Sequence, residues 1–233
     1  MSQNISYNPP RGMRDFYPGE MAERTFIFDA WCQAAEEFGF SRYDACVVES
    51  LDLLKRKAGE EIVEQIYAFQ DKSNRDLALR PEMTPTLARM IVNKQGALSF
   101  PVKWFALAQC FRYERMTRGR KREHYQWNLD IIGETSVSAE AEVIAASVRG
   151  LELLGLSSAE VKVHFSSRKL LSELLRALGI DGSVHQAAFL ALDKRGKIDD
   201  EAISDLLQKE GVSSVEAEKV FGLLDIKTLD DAA

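Results

Sequence analysis

Proline is absent after Pro101, so the second part of the chain has none of the residues that most strongly interrupt helices. A loop-rich first half and a helical second half are expected. Cysteine is scarce: Cys32, Cys46 and Cys110 are odd in number and show no CxxC spacing. That excludes a disulfide framework or a zinc ribbon and suggests reduced thiols in a cytoplasmic protein. Long apolar runs are also missing, and the N-terminus is polar. Neither a membrane span nor a targeting peptide is expected. Basic residues are not in excess: 30 Lys and Arg face 36 Asp and Glu, for a net charge of -6. A strongly basic nucleic-acid domain is thereby excluded, although a local basic loop can still hold a nucleotide. There is no internal repeat and no low-complexity segment. With 45% hydrophobic residues over 233 positions, the chain can form one substantial core and a small second unit.

The elements follow from local pattern. Glu20 to Phe38 reads as a helix with Ile27, Trp31, Ala34 and Phe38 on one stripe and Gly39 as its stop. Ser41 to Val48 reads as a strand, and Leu51 to Gly59 as a short helix and loop. Ile66 to Phe69 and Leu77 to Leu79 flank the turn-rich Asp71 to Asp76 and predict a hairpin. Thr84 then serves as N-cap with Pro85 at the first position of a helix to about Lys94. Capping accounts for Thr84 but leaves Glu82 unexplained. Further on, Ser138 opens a helix that Gly155 ends, and Val161, Val163 and Phe165 alternate as a strand with His164 at the surface. A leucine-rich helix runs from Lys169 to Leu178. After the linker Gly179 to Gly182 come three short amphipathic helices, Val184 to Asp193, Asp200 to Glu210 and Val215 to Leu224.

The densest chemistry lies between Ala106 and Gly133. Val102 to Glu114 favours a strand, Met116 to Lys121 is a basic connection in which Gly119 is free to take a positive φ, and a second strand begins near Arg122. Along that second strand Arg122, His124, Gln126, Asn128 and Asp130 share one face; Tyr125, Trp127, Leu129 and Ile131 share the other. The first strand carries Ala106, Ala108, Cys110, Arg112 and Glu114 at one parity. If the small and polar faces coincide, the hairpin is a floor of short side chains ringed by hydrogen-bonding groups, as a ligand site requires. The other reading is a face turned to water. Gln, Asn, Asp and His in place of Lys, Glu and Thr favour the ligand site. Arg115, Arg118, Arg120, Lys121 and Arg122 concentrated in an acidic chain favour an anionic partner.

FRYER, GRKR and HYQWNLDIIG together closely resemble motif 2 of the class II aminoacyl-tRNA synthetases in its histidyl form. PPRGMRDFYP, KAGEEIVEQIYAFQDK and LALRPEMTPTLAR match the same family in order. The resemblance implies an α+β fold, with a mainly antiparallel sheet flanked by helices over residues 1–180. The start of a helical insertion domain follows over 181–233, where Leu192-Asp193-Lys194 carries the match. It further implies ATP-dependent activation of histidine, transfer to tRNA(His), Mg²⁺ with the ATP, and a homodimer formed through the motif 1 region. That region, Glu20 to Val48, departs from the family at Cys46, where proline is usual.

By the same resemblance Arg112 is the catalytic arginine that bridges carboxylate and α-phosphate. Glu114 accepts from the adenine amino group, Arg120 and Arg122 reach the outer phosphates, and His124 takes the place of the ring that stacks on adenine. Glu82, Thr84, Gln126 and Asp130 hold histidine, Asp130 at its imidazole. A salt bridge to Glu114 is the structural alternative for Arg112. Arg11 and Arg14 belong either to the site or to an arm packed against it. No protein metal ligand set is expected. No segment like motif 3 and no RGLDYY-like segment is present, so the chain by itself is expected not to complete catalysis. The competing reading is a histidine-binding regulatory paralogue, like the regulatory subunit of ATP phosphoribosyltransferase.

Overall fold

The structure, a computed structural model, describes residues 6–56, 63–165, 167–194 and 198–223. Helix α1 (Pro18–Glu37) opens on a proline, whose missing N–H is one of the groups a first turn leaves unpaired anyway. Its buried positions Ala30, Ala34 and Ala35 are small, which lets the helix lie close on the sheet; Ile27 stays at the rim of the predicted stripe. Strand β1 (Ser41–Arg42) follows, then β2 (Val48–Ser50), α2 (Leu51–Lys55), β3 (Ala68–Gln70), β4 (Asp76–Leu79) and α3 (Thr84–Lys94). The long strands β5 (Val102–Phe111) and β6 (Glu123–Ile132) precede α4 (Val137–Leu153). The loop expected to follow α2 extends beyond the described residues.

Among the described residues the strands form two three-stranded sheets. One has the order β1-β5-β6, with β1 parallel to β5 and β5 antiparallel to β6; the other has the antiparallel order β2-β4-β3. The strand expected from Ser41 to Val48 is therefore broken into two. Tyr43 N–H still donates to Phe105 C=O at 2.9 Å, while Val47 C=O accepts from Arg80 N–H at 2.9 Å, so the chain crosses from one sheet to the other between them. Arg80, 2% exposed, bridges this crossing: its Nε donates to Gln109 C=O (2.8 Å) and its Nη1 to Ala45 C=O (3.1 Å).

The β5–β6 pair has two unlike faces. One carries Phe105, Trp127, Leu129 and Ile131, packed with Ala35, Phe40 and Ala146 from the α1 and α4 side. Trp31 of α1 stacks on Trp127 at 5.5 Å and 5°. On the other face Ala106, Ala108 and Cys110 are fully buried with Met83. Leu87 and Ile91 of α3 cover the Val102, Trp104 and Ile132 end of that face. The opposite end, toward the β5–β6 loop, carries the polar residues described below.

The compact units divide between Val161 and Lys162, not at the 180/181 boundary read from the sequence. The second unit contains α5 (Arg168–Ala177), α6 (His185–Lys194), α7 (Asp200–Lys209) and α8 (Ser214–Leu223). Leu175 and Ile180 are buried with Ala188, Ala191, Ile203, Leu207 and Val220. This shared core assigns α5 to the helical unit although Gly179 and Gly182 follow it. The three helices expected after the linker are present to within one residue at each end, but 224–233 lie outside the described residues. Val161 to Phe165 is not a strand here. It alternates like one, yet among the described residues it pairs with no neighbour, and a ladder needs a partner. His164 is exposed, as expected.

Candidate active site

The register settles whether the small and polar faces coincide. Ala106 lies opposite Asn128, Ala108 opposite Gln126, Cys110 opposite His124 and Trp104 opposite Asp130, and opposite residues share a face. Three buried short side chains thus form the floor beside a polar column. Cys110 is pushed up to about 11, by burial above all. Its thiol therefore stays protonated and donates to Gln126 Oε1 at 3.3 Å.

At the loop end a cavity of about 470 Å³ is lined by Gln65, Arg112, Glu114, Gly119, Arg120, Lys121 and His124. The loop above it is tight. Thr117 and Arg120 form a bridge, and Gly119 has φ +83°, a conformation that side chains rarely adopt. Arg112 is fixed by its Nε, which donates to Pro81 C=O at 3.0 Å. Its Nη atoms lie 4.0 Å from Glu82 and 3.9 Å from Glu114, too far for a strong charged hydrogen bond. The structural salt bridge is therefore weak, and the guanidinium fork remains available to an anion.

Glu114 is held more closely by Arg120, at 3.2 Å. The Arg120 side chain is 71% exposed, and such pairs contribute only about 0–1 kcal/mol. The ring of His124 is kept below its usual pKa by burial first and by Arg112 second. It is a neutral planar surface at the cavity wall.

Arg122 stands elsewhere. Its guanidinium lies over the Tyr113 ring at 3.6 Å, and its N–H donates to Gly12 C=O at 3.0 Å. It does not line the cavity, unlike Arg120. A Cβ on Gly12, which has φ +91°, would stand 2.8 Å from the Arg122 side chain. The arm around Gly12 is thus laced to the base of the loop. Arg14 continues the lacing, reaching Glu123 with its N–H at 3.4 Å and its Nη2 at 3.9 Å. The sequence had left Arg11 and Arg14 open between site and arm; Arg14 takes part in the arm's attachment and also lines a neighbouring cavity of about 470 Å³ with Lys121, Glu123 and His124.

Glu82 lies beside Arg112, but Thr84 does not join it. Thr84 is exposed and is the first residue of α3, whose N-cap is Met83; no side chain caps the helix. The expected Thr84 cap is corrected accordingly. Asp130 sits two register rows below Gln126, and burial raises its pKa. Gln65 and Lys121 were not among the expected site residues. Lys121 was visible as part of the basic loop, whereas nothing local marks Gln65, which lies more than forty residues upstream. A larger cavity, about 700 Å³, lies by α2 and α3 and is lined by Leu53, Pro85, Ala88, Arg89 and Val92 among others. It is mostly apolar and offers little chemistry.

The sheets, the flanking helices and the arginine-bearing hairpin are those of a class II aminoacyl-tRNA synthetase core. Crystal structures agree on the fold. Histidyl-tRNA synthetase from Nostoc matches with a TM-score of 0.81 at 23% identity, covering 98% of this chain and 51% of that one. An ATP phosphoribosyltransferase regulatory subunit/histidyl-tRNA synthetase from Bacillus halodurans matches at 0.77 and 21% identity, covering 96% and 57%.

Sequence comparison is more specific. The histidyl-tRNA synthetase family model matches residues 12–232, and the chain belongs to that family. The chloroplastic/mitochondrial histidine–tRNA ligase of Arabidopsis thaliana is 44% identical over 229 residues, 98% of this chain and 47% of the relative. The histidine–tRNA ligase of Halobacterium salinarum is 44% identical over 225 residues, 96% and 52%. The chain spans about half the length of the curated relatives it matches.

Proposed function

We propose that this chain supplies the ATP-binding and histidine-binding residues of a histidine–tRNA ligase. In the reaction a histidine carboxylate oxygen attacks the α-phosphorus of ATP, a P–O bond to pyrophosphate breaks, and histidyl-adenylate forms. The 3′-terminal ribose of tRNA(His) then takes the histidyl group and AMP leaves. Two anions must meet in the first step, so the site needs fixed positive charge more than a general base. Arg112 supplies it. The observation that carries this reading is its geometry: Nε anchored on Pro81, Nη atoms loosely placed, and the cavity of Glu114, Arg120, Lys121 and His124 alongside.

His124 is assigned to stack on adenine, and Glu114 to accept from its amino group once Arg120 turns to the outer phosphates. Arg122, stacked on Tyr113, reaches those phosphates only by leaving that ring. Glu82 and Gln126 are assigned to the histidine ammonium and carboxylate, and Asp130 to the imidazole. Thr84 joins them only by turning inward. Mg²⁺ enters as part of the nucleotide substrate, held mainly by phosphate oxygens. Residues 162–233 are assigned to the start of the helical insertion domain. Homodimerisation is assigned to the motif 1 region, where β2 is an edge strand with Val48 40% exposed. Unpaired Cys32, Cys46 and Cys110 fit a reducing cytoplasm, and among the described residues no helix is long and apolar enough to cross a membrane.

Calorimetry with ATP tests the assignment. Hydrogen bonds to charged groups contribute about 1.5–3 kcal/mol each, so Arg112→Ala is expected to weaken ATP binding about 10- to 100-fold. Arg112→Lys should restore little, because an ammonium lacks the planar fork. Unchanged nucleotide affinity in Arg112→Ala would remove Arg112 from the site.

A further inference from the structure

Tyr113 stands between Arg112 and Glu114, both of which line the cavity. The β5 ladder ends at Phe111, and the next three residues form a tight turn: Glu114 N–H donates to Arg112 C=O at 2.8 Å, with Tyr113 at the centre. Arg112 N–H donates to Arg122 C=O at 2.9 Å, and Tyr113 N–H to Gln65 C=O at 2.8 Å. A turn held by so few bonds depends on what its central side chain touches. Tyr113 is 54% exposed, so it is not a core residue, yet its ring has two partners. The Arg122 guanidinium lies 3.6 Å from the ring centroid, and the Tyr67 ring meets it edge-to-face at 5.5 Å and 75°.

Arg122 ties this turn to the arm. Its Nε reaches Glu114 C=O at 3.5 Å. Its N–H donates to Gly12 C=O, and its Cβ, Cγ and Cδ pack on Gly12 so closely that a Cβ there would stand 2.8 Å from each. To become a phosphate ligand, Arg122 must leave the Tyr113 ring and give up the Glu114 carbonyl. Arg120 and Lys121 are exposed and already line the cavity, so they meet the phosphates without disturbing the base of the loop.

We propose that Tyr113 is a positioning residue of the nucleotide site: it keeps Arg122 in place as a post beneath the turn, and the turn aims the Arg112 fork and the Glu114 carboxylate into the cavity. The physical basis is that binding groups hold their geometry only when neighbouring residues fix them, and a cation over an aromatic face is such a fixing contact. The inference rests on the ATP-binding reading given above. For Arg122 it replaces the phosphate contact that the resemblance implies.

Adenosine separates the two roles of Arg122, since it carries the base assigned to Glu114 and His124 but no phosphate. Binding of ATP is followed by calorimetry, binding of adenosine by ligand-observed NMR, and folding by thermal melt, in this chain and its variants. Tyr113→Leu is expected to weaken adenosine about tenfold, the equivalent of one charge-assisted hydrogen bond, and ATP by at least as much. Tyr113→Phe, which keeps the ring, should bind both as the wild type does. Arg122→Met, which keeps the stem without the cation, should match Tyr113→Leu, and the double variant should be no weaker than either single change. Unchanged adenosine affinity in Tyr113→Leu overturns the inference. So does a loss confined to ATP in Arg122→Met, which makes Arg122 a phosphate ligand; in both cases the ATP-binding reading stands. If the wild type binds neither ATP nor adenosine, that reading itself falls. Wild-type binding of ATP without adenosine removes Glu114 from the base, and the inference with it. A Tyr113→Phe variant as weak as Tyr113→Leu shows that the hydroxyl and not the ring is needed, which also overturns it. Should Tyr113→Leu melt several degrees lower, Arg122→Met decides by the same readouts.

Discussion

Asp130 shows how a single residue can weaken the fold that carries it. Its Oδ2 is buried without a partner, and burial raises its pKa, so folding disfavours its ionised form. The stability it withholds is absent below the unfolded-state pKa, where both states are protonated. It grows as pH rises and is complete above the raised folded-state pKa. Asp130→Asn is therefore expected to stabilise the chain by about 1 kcal/mol at neutral pH. The gain should vanish as pH falls through the carboxylate range, and histidine binding should be lost. Urea denaturation from pH 3 to pH 8 checks the sign: a pH-independent difference, or destabilisation at pH 7, would contradict it. Gln126 and Asp130 were legible in the sequence as a polar parity along the second strand, and Arg112 at the charged end of the first.

At the scale of elements, the β5–β6 hairpin was legible, with β5 ending at Phe111, three residues short of the expected Glu114, and β6 starting one residue after Arg122. Its alternation and its basic turn are local properties, and local properties survive folding. The arm was legible only as a turn-rich entry. Its function in the structure is to lace the base of the loop: Gly12 C=O accepts from Arg122, and Arg14 reaches Glu123. Gly12→Ala places a methyl group 2.8 Å from Arg122 on a backbone with φ +91°. Such a substitution costs more than the usual gain from losing a glycine, and about 1–3 kcal/mol is expected. A thermal melt should show the loss, and hydrogen exchange should rise at Arg122. Unchanged exchange there would separate the arm from the loop. The broken strand between Tyr43 and Val47 and the unpaired run from Val161 to Phe165 were misread for a common reason. Alternation reports which face a residue points to, not which strand lies beside it.

For the whole molecule, the open edge of β2 carries the prediction. Edge strands offer unpaired backbone groups to a second chain; β2 presents Val48 at the surface, and Cys46, two residues before the strand, is exposed as well. Sedimentation equilibrium is expected to give twice the chain mass for the wild type and the single-chain mass for Val48→Asp, since a buried carboxylate at such an edge is costly. A dimer that survives Val48→Asp would place the contact elsewhere.

What the sequence by itself determined is whatever depends on neighbours along the chain: helix limits, the alternation of β6, the turn at Gly119, and the ordered motifs that mark the histidyl-tRNA synthetase family. Only the tertiary structure decided that Arg122 stacks on Tyr113 instead of entering the cavity and that α5 belongs to the helical unit. It alone brought Tyr43, Asn128 and Asp130 onto one face with their oxygens unpaired. Those outcomes depend on sheet register and on helix packing between residues as much as 87 positions apart in sequence, and no local pattern encodes such distances.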